Sequence, residues 1–164
     1  MHPAALDDVT LLNDCDETRT RRGGPGGQHR NKVETAVVLQ HRPTGIAAEA
    51  SERRSQAENR AVAVQRLRLR LALEHREPAG DGPTTLWLSR ARNGRLAISI
   101  GHRDYPTLVA EAFDHLQAAG CRTAAAAAAL GVTTSQLIGL FRRSAPVWTA
   151  VNHARATAGL PRLS

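Results

Sequence analysis

The sequence predicts an α+β chain with an N-terminal α+β module over residues 1–76, a linker with a short hairpin or strand over 77–104, and a helical, helix-turn-helix-like module over 105–164. Three observations carry this. A β-branched run, "VETAVVLQH" (33–41), is followed by turn residues and a returning segment. Ser55 and Glu58 then form an S-x-x-E capping box at the start of a long run of strong helix formers. From Pro106 onward the apolar residues recur at helical spacing, with Gly120 and Gly131 as breaks.

Taken in order, "DCDETRTR" (14–21) reads as a strand of alternating polar character. After a glycine-rich segment, 33–41 is strand-like, and Pro43 and Gly45 suit a type I turn, so that Ile46 to Ala50 returns as the second arm of a hairpin. The next run, "NRAVAVQRLRLRLALEHR", poses a local conflict. Val62, Val64, Leu67, Leu69, Leu71 and Leu73 nearly alternate, as in a strand, whereas the cap, the length and the Ala, Arg, Leu and Gln content favour a helix. A helix is expected. Pro and Gly mark 77–85 as a linker. Asn93-Gly94 signals a hairpin, or a short helix ending there with one strand after it. Leu108, Ala112 and Leu116, flanked by Val109 and Phe113, make an i, i+4 stripe that stops at Gly120. An Ala-rich helix, a Gly131 turn and a second capping box (Thr133, Gln136) follow, and Leu137, Leu140 and Phe141 share one face. A last helix holds Trp148, expected in the core, and Val151, with Gly159 and Pro161 as stops.

Lys and Arg number 22 against 15 Asp and Glu, a formal charge of +7 that favours polyanionic partners. All but one of those cations are arginine, whose planar fork suits phosphate. At 3% aromatic content the core has to be filled mostly by Leu, Val, Ile and Ala. The first residues show no secretory pattern and no apolar run approaches the roughly 20 residues of a membrane span. Cys15 and Cys121 stand far from any metal-ligand spacing. A reduced, cytoplasmic protein without metal or cofactor is expected.

The segment "RRGGPGGQHRNK" (21–32) is the unusual one. Gly23, Gly24, Gly26 and Gly27 permit positive φ and close backbone approach. Arg19, Arg21, Arg22, Arg30 and Lys32 surround them, and no acid falls between Arg19 and Lys32. That is a socket for phosphates whose binding should weaken with salt. The spacing matches neither a Walker loop nor a dinucleotide fingerprint.

The stretch "GPGGQHRNKVETAVVLQHRPTGIAAEASERRSQAENRA" resembles the catalytic domain of class I peptide chain release factors and the small ribosome-rescue hydrolases related to them. The resemblance covers roughly Asp14 to Arg76: the GGQ tripeptide, the continuation "HRNK", the hairpin "HRPTGI" and the helix entry "ERRSQAENR", all in order. It implies an antiparallel β-sheet packed on one long helix. It also implies a loop that enters the peptidyl transferase centre of 23S rRNA and promotes hydrolysis of the P-site peptidyl-tRNA ester. By position, Gly26 and Gly27 would give the loop its backbone shape. The Gln28 N–H would hydrogen-bond developing charge on the leaving tRNA oxygen, and the Gln28 side chain would shape a slot that admits water. The resemblance further implies methylation of Gln28 and a glutamine methyltransferase as partner. His29 is expected to contact RNA or water, and Arg53 and Arg54 to belong to the same RNA-facing surface as Arg19, Arg21, Arg22, Arg30 and Lys32. Arg66 and Arg70 share a helix face that is either solvated or applied to rRNA.

The chain departs from that family in two respects. No tripeptide-bearing codon-recognition domain is found, and the end, "ARATAGLPRLS", has no Lys- and Arg-rich run. Codon-independent action in rescue or atypical termination is therefore expected, with an additional protein as one source of ribosome recognition. The C-terminal helix-turn-helix is expected to be mainly structural, because "TTSQLIG" offers few base-reading groups. The opposing expectation is a non-catalytic ribosome- or RNA-binding regulatory module.

Overall fold

The computed structural model describes residues 1–21 and 35–164. Gly26, Gly27 and Gln28, together with Arg22, His29, Arg30 and Lys32, lie outside the described residues. The described chain divides into two compact units, essentially Pro3–His75 and Arg76–Ser164.

The first unit begins with a 3-10 turn, Pro3–Ala5, and a six-residue helix α1, Asp8–Asn13. Neither element is among those expected from the sequence. The Asp7 side chain caps α1 by accepting from the Val9 and Thr10 N–H groups, both at 3.0 Å. A three-stranded antiparallel sheet follows in the order β1-β2-β3, built from β1 (Cys15–Thr20), β2 (Ala36–His41) and β3 (Ala47–Ala50). Directly opposed residues share a face, so Val37↔Ala50 and Leu39↔Ala48 form one buried layer. That layer packs against the long helix α2, Gln56–Glu74. The Ser55 hydroxyl accepts from the Glu58 N–H at 3.4 Å at its start.

The conflict over α2 is settled by which residues it buries. Asn59, Ala63, Val64, Leu67, Arg68, Leu71 and Ala72 are inside, a stripe of helical period. Leu69 and Leu73, which completed the apparent alternation, are half-exposed. Arg68 is only 4% exposed, and it reaches the Ala4 carbonyl at 2.9 Å and the Asp8 carboxylate. The charge is thus tolerated inside because it is paired and hydrogen-bonded.

The β2–β3 turn departs from the simple type I expectation. Gly45 at φ 71° donates its N–H to the His41 carbonyl at 2.8 Å, an i to i+4 closure, and His41 N–H donates to the Ile46 carbonyl at 2.8 Å. His41 is buried, with Nδ1 2.8 Å from the Thr44 hydroxyl. Burial pushes its imidazole below the ordinary histidine value. The native state therefore disfavours the proton that the unfolded chain accepts. The stability tied to neutral His41 is complete above the unfolded value of about 6.5 and declines as pH falls below it. The thermal midpoint should drop between about pH 7.5 and pH 5.5, and His41→Gln should flatten that drop in a melting series.

The second unit is helical: α3 (Thr85–Arg90), α4 (Tyr105–Ala118), α5 (Thr123–Ala129), α6 (Thr134–Arg142) and α7 (Ala145–Thr157). Between α3 and α4 lies a two-residue-per-strand hairpin, β4 (Ala91–Arg92) and β5 (Arg95–Leu96). Asn93 at φ 51° and Gly94 at φ 72° give the two positive φ values of a type I′ turn. The hairpin reading holds; a short helix is present as well, but it ends at Arg90, ahead of β4, and not at the Asn-Gly. The stripe on α4 is buried as expected: Leu108, Val109, Ala112, Phe113 and Leu116. It ends with Gly120 and Cys121 both at positive φ, and Cys121 N–H returns to the Leu116 carbonyl at 2.8 Å.

Helices α5 and α6 meet at 105°, the crossing of a helix-turn-helix. The Thr133 hydroxyl caps α6 by accepting from Gln136 N–H at 3.2 Å. The expected return arm of that box is diverted, since Gln136 Oε1 accepts from the Leu96 N–H of β5 at 3.0 Å.

The tryptophan expectation is corrected. Trp148 is half-buried, with the Arg142 guanidinium stacked 5.0 Å from its ring centroid, whereas Trp87 is the fully buried one. Trp87 Nε1–H donates to the Leu130 carbonyl at 2.9 Å, and the Tyr105 hydroxyl donates to the Leu140 carbonyl at 3.1 Å. Each buried aromatic thereby satisfies a carbonyl near the end of a helix that has no further turn to bond. No single helix among the described residues is long and apolar enough to cross a membrane.

Candidate functional site

The glycine segment is strung between two neighbouring antiparallel strands. Its stems are fixed by the last ladder pair, Thr20↔Ala36, beyond which Arg21 and Thr35 are the nearest described residues. Two clusters of side chains hold these stems, one for each strand.

Asn59 secures the C-terminal stem. It lies in the second turn of α2 and is 0% exposed. Its Nδ2 donates to the Thr35 carbonyl at 2.7 Å and to the Arg53 carbonyl at 3.0 Å, and its Oδ1 accepts from Arg53 N–H at 2.9 Å. One amide side chain thus ties the end of the glycine segment to the 51–55 turn. That turn carries Arg53 and Arg54, both exposed and without an ion pair among the described residues. Of these two, Arg53 has its backbone N–H and carbonyl held by Asn59 beside the C-terminal stem.

Glu17 secures the N-terminal strand. It sits opposite Leu39, on the face turned toward α2. Its carboxylate accepts from Arg60 Nε at 2.8 Å and from Arg19 at 3.4 Å. The Arg60 hydrogen bond, helped by Arg19, holds the Glu17 carboxyl below the usual range. Arg19 is therefore partly neutralised by its own strand and less available to phosphate than its sequence position implies.

Arg66 and Arg70 lie on an exposed helix face, where each is held by protein partners. Arg66 donates to the Glu49 carbonyl at 2.8 Å and pairs with Glu52, and Arg70 donates to the Ala47 carbonyl and pairs with Glu74 at 2.7 Å. Ala47 and Glu49 belong to β3, the edge strand of the described sheet. The two arginines occupy carbonyls that would otherwise be open to another strand.

Sequence reading missed Asn59, Glu17 and Arg60. A signal for Asn59 was present: an asparagine in the second turn of a run otherwise made of strong helix formers is a poor local choice and asks for a tertiary reason. Glu17 and Arg60 lie 43 residues apart, and only the fold joins them.

Residues 9–92 match the RF-1 domain family, about half of the chain. Over 88 residues the chain is 43% identical to the chloroplastic peptide chain release factor PrfB1 of Arabidopsis thaliana, covering 49% of this chain and 19% of that protein. It is 50% identical over 83 residues to peptide chain release factor 1 of Acidiphilium cryptum, covering 51% and 22%. The likeness to peptide chain release factor 1 of Malacoplasma penetrans is 38% over 104 residues, covering 62% and 29%. The aligned region thus spans about a fifth to under a third of these relatives' length.

Proposed function

The chain belongs to the RF-1 domain family, and from that premise we propose that it is a ribosome-dependent peptidyl-tRNA hydrolase that acts without a stop codon. The observation that carries the proposal is an intact Gly26-Gly27-Gln28 in a segment whose two stems are anchored by Asn59 and by the Glu17–Arg60 pair.

In this mechanism the ester is held by the peptidyl transferase centre of 23S rRNA, and the loop completes that site. Gly26 and Gly27 let the backbone approach, and Gln28 N–H donates to the leaving ribose oxygen as negative charge develops there. Water attacks the ester carbonyl, its proton passes to the departing oxygen, and peptide acid and tRNA are the products. The Gln28 amide limits the slot to water and is the position for methylation by a glutamine methyltransferase. Arg21, Arg22, Arg30, Lys32, Arg53 and Arg54 supply phosphate contacts, with Arg19 in a lesser role and His29 against RNA or water. No cofactor enters these steps.

Codon independence is supported by the part of the chain outside the family match. Residues 93–164 carry seven arginines, most of them exposed and suited to phosphate contacts, which position a protein without reading a sequence. What brings the chain to a ribosome is assigned to that part or to an additional protein. The test is peptide release from ribosomes carrying P-site peptidyl-tRNA, with the A site empty or programmed with a stop codon. Equal release in both cases is the expected result. Release only with the stop codon would overturn codon independence, and ribosome binding without release in either case would identify a non-catalytic binding module.

A further inference from the structure

Residues 76–164 hold ten arginines against five carboxylates, a formal +5 of the chain's +7. The carboxylates of this unit are largely engaged. Asp104 pairs with Arg90 at 2.8 Å, Asp114 with Arg76 at 2.8 Å, and Glu111 accepts from the Thr84 N–H and hydroxyl, both at 2.6 Å. Apart from the exposed Asp81, the charge left on the surface is mainly arginine, including Arg92, Arg95, Arg122, Arg143 and Arg162. Arg92 and Arg95 flank the Asn93-Gly94 turn and stand directly opposite each other in the β4–β5 register, both exposed. Among the described residues neither has a carboxylate partner. Like charges placed opposite each other destabilise a hairpin, so this pair is a local cost that the fold itself does not offset.

A second local cost lies on the neighbouring helix. The hairpin is tied to α6 by the Leu96–Gln136 hydrogen bond, and a Cβ on Gly94 would sit 3.8 Å from the Thr133 methyl. Three residues beyond Gln136, on the adjoining helix surface, is Gly139. Glycine inside a helix is unfavourable relative to alanine. Packing does not demand it, because a Cβ there would meet nothing within 4 Å. Two unfavourable choices, an opposed arginine pair and a helix glycine facing open space, therefore lie on elements joined by a hydrogen bond. Both become useful if a polyanionic backbone lies across them. The arginines then gain phosphates, and the bare helix surface lets that backbone come close.

We propose that the β4–β5 hairpin and the Gly139 face of α6 form a docking surface for a double-stranded segment of RNA, with Arg92 and Arg95 on its phosphates. Sequence reading expected a mainly structural helix-turn-helix because α6 lacks base-reading groups. Duplex RNA is bound chiefly by shape, phosphate and 2′-hydroxyl contacts, so that lack is no obstacle. The choice of RNA over DNA rests on the ribosomal reading above; the surface itself rests on the two local costs. Because binding can be measured with a bare duplex, its failure and the failure of peptide release are separately visible.

The test uses the full chain and a labelled RNA duplex of about 20 base pairs, with a DNA duplex of the same sequence alongside, titrated across a salt series. Arg92→Gln/Arg95→Gln should weaken RNA binding about tenfold or more and reduce the slope of log affinity against log salt by roughly 2, while leaving the thermal midpoint unchanged or higher. Gly139→Ala should raise the midpoint by a few degrees and still weaken RNA binding. Stability and affinity moving in opposite directions supports the proposal, because a merely structural hairpin or helix would move them together or not at all. Unchanged RNA affinity and salt slope in both variants would overturn it. So would equal or tighter binding of the DNA duplex.

Discussion

Gln28→Pro will slow peptide release by about 10²- to 10³-fold on ribosomes it still occupies, the cost expected when one preorganised donor to a developing oxyanion is lost. Proline removes the backbone N–H and leaves the chain length and charge unaltered. Gln28→Ala keeps that N–H and should lose less of the rate, while widening the slot. Hydroxylamine or another small nucleophile should therefore compete with water more successfully in the alanine variant than in the wild type. Single-turnover release at saturating protein, with occupancy measured by co-sedimentation, separates the chemical step from binding. If proline and alanine variants release peptide equally, the assignment of the backbone N–H as the donor is wrong.

The second large effect is expected at Asn59. Asn59→Leu preserves approximate size but removes the three hydrogen bonds to Thr35 and Arg53. Backbone groups left unsatisfied inside a protein cost about 1–3 kcal/mol each, so a loss of about 3 kcal/mol or more is expected for the N-terminal unit. For a unit of this size that corresponds to a fall in thermal midpoint of roughly 10–20 °C. Asn59 is a positioning residue, acting on the loop through Thr35. Release should accordingly fall at temperatures where the variant is still folded by circular dichroism, with ribosome occupancy falling much less. A variant that loses stability but releases peptide at the wild-type rate would restrict Asn59 to a structural role.

Much of the N-terminal unit was legible because local signals agree there. The β-branched 36–41 run and the Ser55 cap each have a sequence signature and form the element they signal, and Gly45 marks the place of the turn though not its type. The α2 conflict was resolvable on composition, and the buried stripe explains it: Leu69 and Leu73 look like core in the sequence and sit at the helix margin. Short elements were harder. The helix α1 rests on one Asp7 cap and six residues, too little pattern to register. Trp87 and Trp148 could not be ranked, since a single large apolar residue does not announce whether its neighbours close over it.

The site shows the same division. The GGQ tripeptide and its flanking cations are contiguous and readable. Asn59, Glu17 and Arg60 act through contacts between distant segments, and Arg66 and Arg70 turn out to cover a sheet edge, a demand that exists only once the sheet does. The opposed arginines of the hairpin were visible as letters, yet their cost depends on a register that a two-residue turn sets.

In the proposed mechanism this chain supplies a loop to a site made largely of RNA. The most direct measurement compares hydrolysis of the same labelled peptidyl-tRNA free in solution and in the P site of ribosomes with a vacant A site. Hydrolysis on the ribosome, and none above the spontaneous rate in solution, is the expected result. A wild-type chain that occupies the ribosome and leaves the ester intact, or that hydrolyses free peptidyl-tRNA equally well, would contradict it.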